Sequence, residues 1–157
     1  LPDQTTAPRE IVRHQPAVAM LMITAQHKMI VEQQWRAATG GLTVEIPAGK
    51  VESGETMDQA AVRELNEETR LTAQHLEAVA QFYTSPGFTD ELMKLYVATG
   101  LSAVATAFPQ DPDEQIRLIK LDLATAVSQV QTGQIQDAKT VMAIWYWQSH
   151  PELGVEA

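Results

Sequence analysis

Residues 57–69, MDQAAVRELNEET, lie between two sets of strand-like segments, and their flanks mark them as a helix. Thr56 suits an N-cap, and Gln59 three residues later completes a capping-box pattern. Upstream, AVAMLMIT (17–24) and MIVEQQW (29–35) read as strands joined by the short turn AQHK, a hairpin with Trp35 expected in the core. The pair Gly40–Gly41 marks a loop, and LTVEIPAG (42–49) reads as a short strand stopped by Pro47 and Gly49. Downstream, LEAVAQFYTS (76–85) and ELMKLYVATGL (91–101) read as strands around the turn PGFTD, and IRLIKLDL (116–123) alternates as another strand. ATAVSQVQTG (124–133) reads as a helix ended by Gly133. Residues 137–150 read as a final helix with Val141, Ile144, Trp145 and Gln148 along one line. The order is strands, helix, strands, then two helices. It predicts a mixed α/β sandwich, with helices packed on a mixed sheet in a single domain spanning 1–157.

Charge narrows the partners. Asp plus Glu number 20 against 11 Lys plus Arg, a formal net charge of −9. A sequence-independent nucleic-acid binder needs the opposite sign. An anionic small substrate would need local cations or a metal. With no cysteine, disulfides and thiolate metal sites are excluded, which agrees with a reducing cytoplasm. No apolar run reaches the 18 residues or so of a membrane-spanning helix.

Glu64, Glu67 and Glu68 share one helix face by their i, i+3, i+4 spacing. Each like-charge pair costs roughly a few tenths of a kcal/mol. With Val62 and Leu65 expected on a neighbouring apolar stripe, the carboxylates lie beside the core. A solvated acidic face is the ordinary explanation. The context argues against it, because a loop with Pro47, Gly49 and Gly54 brings Glu52 and Glu55 to the same helix start. Clustered carboxylates at a loop–helix junction suit a hard divalent cation, which takes oxygen ligands and is commonly shared with substrate phosphates. A turn carbonyl such as that of Ala48 could add another oxygen.

The same residues resemble the Nudix box, Gly-x5-Glu-x7-Arg-Glu-U-x-Glu-Glu-x-Gly-U, where U is bulky and apolar. Gly49, Glu55, Arg63, Glu64, Leu65, Glu67, Glu68 and Leu71 match it. One position departs: Arg70 stands where the box has its second Gly. Gly there would suit a left-handed helix end. The resemblance implies a Nudix-type α/β/α sandwich and cleavage of a nucleoside diphosphate linked to another group. Further segments are similar to the ADP-ribose pyrophosphatase branch: LPDQTTAPREIVRH, VEQQWR, EIPAGKVESGE, FYTSPGFTDE, DPDEQIRL and GQIQDAKTVMAIWYW, in that order along nearly the whole chain. Pro86 lies fifteen residues after Leu71, near the place of that branch's marker proline.

What the resemblance implies can be stated position by position. Arg36 matches an arginine that contacts substrate phosphate, a task its planar donor fork suits. Arg9 and Glu10 match residues that contact the ADP part from a partner subunit. Residues 1–15 would then belong to an N-terminal dimerisation region of a homodimer. Glu91 matches an acid near the terminal ribose, and Ser85 and Gly87 would add polar or backbone contacts there. Glu64, Glu68 and the Ala48 carbonyl would hold Mg²⁺, with Mn²⁺ as a substitute and Glu67 nearby. The loop AFPQDPDEQ (107–115) would supply a carboxylate that completes the metal site or acts as base; Glu114 aligns best, with Asp111 and Asp113 as alternatives. Arg63 would brace the box carboxylates. The implied reaction is ADP-ribose plus water giving AMP and ribose 5-phosphate. Other nucleoside diphosphate sugars stay open as substrates. A non-catalytic nucleotide sensor is disfavoured because no box carboxylate is missing.

Other chemistries fit poorly. His14, His27, His75 and His150 have no metal-ligand spacing. There is no Gly-x-Ser-x-Gly elbow. A calcium loop starting at Asp111 fails at its sixth position, Ile116, where Gly is needed.

Overall fold

A computed structural model describes residues 2, 4–110 and 115–154. Its order is β1 (Ala17–Ile23), β2 (Met29–Arg36), β3 (Gly41–Glu45), β4 (Ala48–Lys50), α1 (Met57–Thr69), β5 (Leu71–Tyr83), β6 (Leu92–Ala103), β7 (Arg117–Leu121), α2 (Leu123–Gln131) and α3 (Ala138–Ser149). The strands form one seven-stranded mixed sheet. β1 runs parallel to β6, and the other pairs are antiparallel.

Every residue of β1 is buried. Alternation sends Ala19, Leu21 and Ile23 to one face with Ile144 and Trp147 of α3, and Val18, Met20 and Met22 to the other with Ala60, Ala61 and Leu65 of α1. The sheet is therefore covered on both faces, as the sequence pattern predicts. No helix among the described residues is long and apolar enough to cross a membrane.

The sheet forks beside β1. Met22 of β1 pairs with Ile30 of β2, whereas Ala17–Ala19 pair on the same edge with β4. Farther along β2, Glu32–Arg36 pair with β3 instead. The chain crosses the fork at Ile46–Pro47, so the expected strand 42–49 is two short strands. Pro47 has no N–H to offer a ladder, and its carbonyl accepts from Met20 N–H at 2.9 Å.

The helix ends explain themselves. Thr56 Oγ1 accepts from Gln59 N–H (3.2 Å) and Thr56 N–H donates to Gln59 Oε1 (2.8 Å), completing the box at α1. At α2 and α3 the Asp122 and Asp137 side chains cap by accepting from the backbone N–H groups of Thr125 and Thr140. α2 stops at a Thr132 cap, with Gly133 at φ 75° just beyond.

Three packing expectations are corrected. Trp35 is 61% exposed, facing Leu42, its 65% exposed cross-strand partner, on an end of the β2–β3 ribbon that little else covers. On α1, Ala61 rather than Val62 is buried with Leu65, and Val62 is exposed. On α3 the buried line is Thr140, Ala143, Ile144 and Trp147, while Trp145 is exposed. β5 also begins at Leu71, directly after α1, so Arg70 is the whole connection.

Arg70 adopts the left-handed conformation (φ 61°, ψ 24°) and donates its backbone N–H to Asn66 O at 3.0 Å. Its guanidinium also donates to the Phe108 carbonyl. A non-glycine residue there costs about 1 kcal/mol. Arg70→Gly relieves that cost and loses an exposed side-chain contact. We expect the melting temperature to rise by roughly 1–3 °C, with turnover within about twofold of the parent. A large drop in turnover would give Arg70 an active role.

Candidate active site

The acidic face of α1 is organised by one cation. Arg63 Nε and Nη2 each lie 3.0 Å from the Glu55 carboxylate, and Nη1 donates to Glu64 Oε1 and Glu67 Oε2, both at 2.8 Å. Nη2 also reaches the Lys50 carbonyl at 2.8 Å. Glu55 hydrogen-bonding holds the guanidinium well above its ordinary pKa, against burial, with Glu64 and Glu67 adding to it. The same contact holds Glu55 below the usual carboxylate range. Thus the brace expected of Arg63 is present as geometry.

Glu68 Oε2 accepts from Ala48 N–H at 3.0 Å. The Glu64 carboxylate lies against Gly49: a Cβ built on Gly49 would come within 1.8 Å of Glu64 Oε1. No side chain larger than hydrogen fits there while Glu64 keeps its place. Glu64 and Glu68 are buried at 8% and 4% exposure.

A second charged cluster faces this one from the fork. Arg36 grips Glu45 with Nε (2.8 Å) and Nη2 (2.9 Å), leaving Nη1 outside the grip. Glu45 also accepts from Thr43 Oγ1 (2.5 Å) and Lys139 Nζ (2.5 Å), and Lys139 reaches Asp137 at 3.1 Å. Burial would raise the Glu45 pKa, but the Arg36 fork and Lys139 outweigh it and hold it at about 2. Beside it Glu32 has no exposed surface, and its Oε2 has no hydrogen-bond partner. Burial dominates there, against the attraction of Lys139, and pushes its pKa up to about 8.

Both clusters line one cavity of about 1150 Å³. Ala48, Glu64, Glu67, Arg36, Ser85 and Glu91 of the predicted site all border it. The third wall is the turn after β5. Glu91 accepts from Thr84 Oγ1 at 2.6 Å and lies 3.1 Å from His14 Nδ1, and Ser85 O accepts the N–H groups of Phe88 and Thr89. Glu68 points to the Ala48 amide rather than the cavity wall. Arg9 and Glu10 are exposed and do not border the cavity. Asp111, Asp113 and Glu114 lie outside the described residues. Sequence reasoning missed Glu45, Asp137, Lys139 and His14. The only signal was DAK at the start of the last predicted helix, a capping Asp137 and a charged Lys139 where the cap alone would do.

The donors on α1 fit a hard divalent cation: they are oxygens only, beside a backbone that a Cβ would obstruct. Among the described residues, no three Asp, Glu or His side chains close around a common point, and Arg63 bridges the α1 carboxylates instead.

Known proteins resemble this chain in sequence and in fold. Residues 13–143 match the family profile described as NUDIX domain. The chain is 45% identical over 148 residues to a protein of Bacillus methanolicus named methanol dehydrogenase activator, covering 94% of this chain and 80% of the relative. It is 42% identical, with the same coverage, to a Bacillus subtilis (strain 168) protein named ADP-ribose pyrophosphatase. A crystal structure of an ADP compounds hydrolase superposes with a TM-score of 0.74 at 20% identity, covering 90% of this chain and 79% of that one, a likeness of fold.

The buried Glu32 gives a pH test. Unfolded, it releases its proton near its ordinary value of 4.5; folded, it keeps it to about 8. Between those values the folded state holds the extra proton, so its stabilising contribution is complete at low pH and is lost as pH rises to about 8. Glu32→Gln cannot ionise. Its melting temperature relative to the parent is expected to climb from pH 5 to pH 8.5; parallel curves would show that Glu32 ionises freely.

Proposed function

The chain belongs to the NUDIX family, and we propose that it hydrolyses ADP-ribose to AMP and ribose 5-phosphate with Mg²⁺. The observation that carries the reading is a cavity bordered by the box carboxylates Glu64 and Glu67 on one side and by Arg36 on the other. A pyrophosphate needs cationic groups on both sides in a chain this acidic.

Glu64, Glu68 and the Ala48 carbonyl would hold the metal, with Mn²⁺ as a substitute, and Gly49 keeps their approach open. Bound there, the metal would neutralise charge gathering on the pyrophosphate in the transition state. Arg36 offers the Nη1 end of a guanidinium already fixed by Glu45 to a phosphate oxygen. Glu114 takes or orients the proton of the attacking water. The water oxygen bonds to one phosphorus as the bridging P–O bond breaks; the other phosphate leaves with the bridging oxygen. Glu67, tied to Arg63, keeps the carboxylate group in register. Glu91, backed by Thr84 and His14, accepts a hydroxyl of the terminal ribose. Ser85 shapes the turn beside it.

Steady-state assays on a panel of nucleoside diphosphate sugars test the substrate. AMP release from ADP-ribose should exceed nucleotide release from GDP-mannose by at least about tenfold in kcat/KM, a margin of about 1.4 kcal/mol; the reverse order would overturn it. Glu68→Gln at saturating Mg²⁺, and Glu114→Gln with Asp113→Asn as control, should each lose most turnover except the control. Near-normal turnover in Glu68→Gln would remove it from the metal site.

A homodimer with one single-domain chain per subunit is part of the proposal, placing Arg9 and Glu10 in the partner's site. The exposed apolar residues Ile11, Val12, Trp35 and Leu42 support it, since apolar surface of this kind suits an interface. Light scattering should give a dimer; a fully active monomer would sink it. We assign the enzyme to the cytoplasm, in keeping with a chain free of cysteine. The relative named methanol dehydrogenase activator carries a second reading, activation of such a dehydrogenase, on its 45% identity. Raised dehydrogenase turnover on adding this chain would favour it.

A further inference from the structure

The first turn of α3 touches both halves of the site without lining the α1 end of it. Thr140 is fully buried. Its hydroxyl donates its one hydrogen to Asp137 Oδ2 (2.5 Å) and accepts from Ile46 N–H (2.8 Å). Because the hydrogen is committed to Asp137, the lone pair facing Ile46 is fixed in direction. Ile46 is two residues before Ala48, at most about 7 Å of chain. Ala48 N–H meets Glu68, and Gly49 meets the Glu64 carboxylate.

Lys139 works in the other direction. Its ammonium and Arg36 Nη2 share the same oxygen, Glu45 Oε2. Lys139 thereby fixes the carboxylate that fixes Arg36. A helix cap alone would need only Asp137 and the Thr140 amide, which are 3.0 Å apart. The two side-chain links beyond the cap each lead to a different part of the site.

We infer that the first turn of α3 is a two-armed positioning element: Thr140 sets the Ala48–Gly49 backbone against Glu64 and Glu68, and Lys139 sets Arg36 through Glu45. The inference rests on the ADP-ribose reading for its substrate arm only. The metal arm concerns this chain's carboxylates and backbone, and can be read without turnover.

The arms should separate. Thr140→Val strands a buried N–H beside the Ala48–Gly49 backbone, and should raise the Mn²⁺ dissociation constant of the substrate-free protein roughly tenfold by calorimetry. KM for ADP-ribose at saturating Mg²⁺ should stay within about twofold. Thr140→Ser, which keeps the hydroxyl, should restore Mn²⁺ binding. Lys139→Met should raise KM about tenfold and leave the Mn²⁺ constant within about twofold, and Lys139→Arg should recover most of the loss. If Thr140→Val does not fold, Asp137→Asn keeps the cap and weakens the acceptor for the Thr140 hydroxyl; because Asp137 also pairs with Lys139, this variant is read on the Mn²⁺ constant alone. It should then raise the Mn²⁺ constant several-fold, on the order of a weakened hydrogen bond; no change overturns the metal arm. Variants that lower melting temperature while leaving both constants within twofold would make α3 merely structural. Equal shifts of both constants in every variant would also overturn the inference. A parent chain that binds Mn²⁺ but hydrolyses no ADP-ribose would refute the substrate reading and leave the metal arm decided by its own titration.

Discussion

The stretch from Glu45 to Gly49 has to serve two strands at once. Glu45 pairs with Glu32 on β2, and Ala48 pairs with Ala19 on β1. Between them the chain crosses a gap where the sheet has split. Pro47 suits the crossing because it has no N–H to leave unpaired, and its carbonyl still finds Met20. The crossing then decides what faces what. One end lays Ala48 and Gly49 under α1, and the other lays Glu45 beside the start of α3. Both charged walls of the cavity hang from these five residues.

The walls solve the same electrostatic problem in the same way. Carboxylates taken from water are costly unless paired and hydrogen-bonded. At α1, Arg63 reaches three of them, Glu55 before the helix and Glu64 and Glu67 on it, from the edges of its planar guanidinium, so the like-charge repulsion along the helix is offset within the chain. The loop contributes to this, since Gly54 at φ 84° turns the chain to return Glu55 toward Arg63. At the fork, Arg36 and Lys139 converge on Glu45. A chain of net charge −9 thus keeps its scarce cations where carboxylates are densest.

Periodicity and caps made much of the fold legible. The hairpin 17–36, the helix from Thr56 and the stop near Gly133 all follow from local rules. The acidic helix was legible because its spacing is local too, and Arg63 lies within one turn of Glu64 and Glu67. What sequence hid was long-range. Lys139 and Glu45 are separated by 94 residues, and nothing in DAK says that a strand end waits there. Trp35, expected in the core, is exposed because a large apolar side chain on a strand does not show whether a helix extends far enough to cover it. Arg70 shows the reverse limit: the motif asked for Gly, and the left-handed backbone that Gly would favour is present with Arg in it.

Glu32 makes sense of the fork's charge balance. With its proton on, the cluster holds two carboxylates, Glu45 and Asp137, against two cations, Arg36 and Lys139. Ionised, Glu32 would add a third carboxylate with an unpartnered oxygen and compete with Glu45 for Lys139. Burial prevents that at neutral pH by favouring the neutral acid. Gln34 meanwhile donates to Glu32 Oε1, so one oxygen is satisfied in either state. The burial that makes Glu32 costly once ionised therefore keeps Lys139 committed to Glu45, and keeps the fork of Arg36 on Glu45 with its Nη1 end outside that grip.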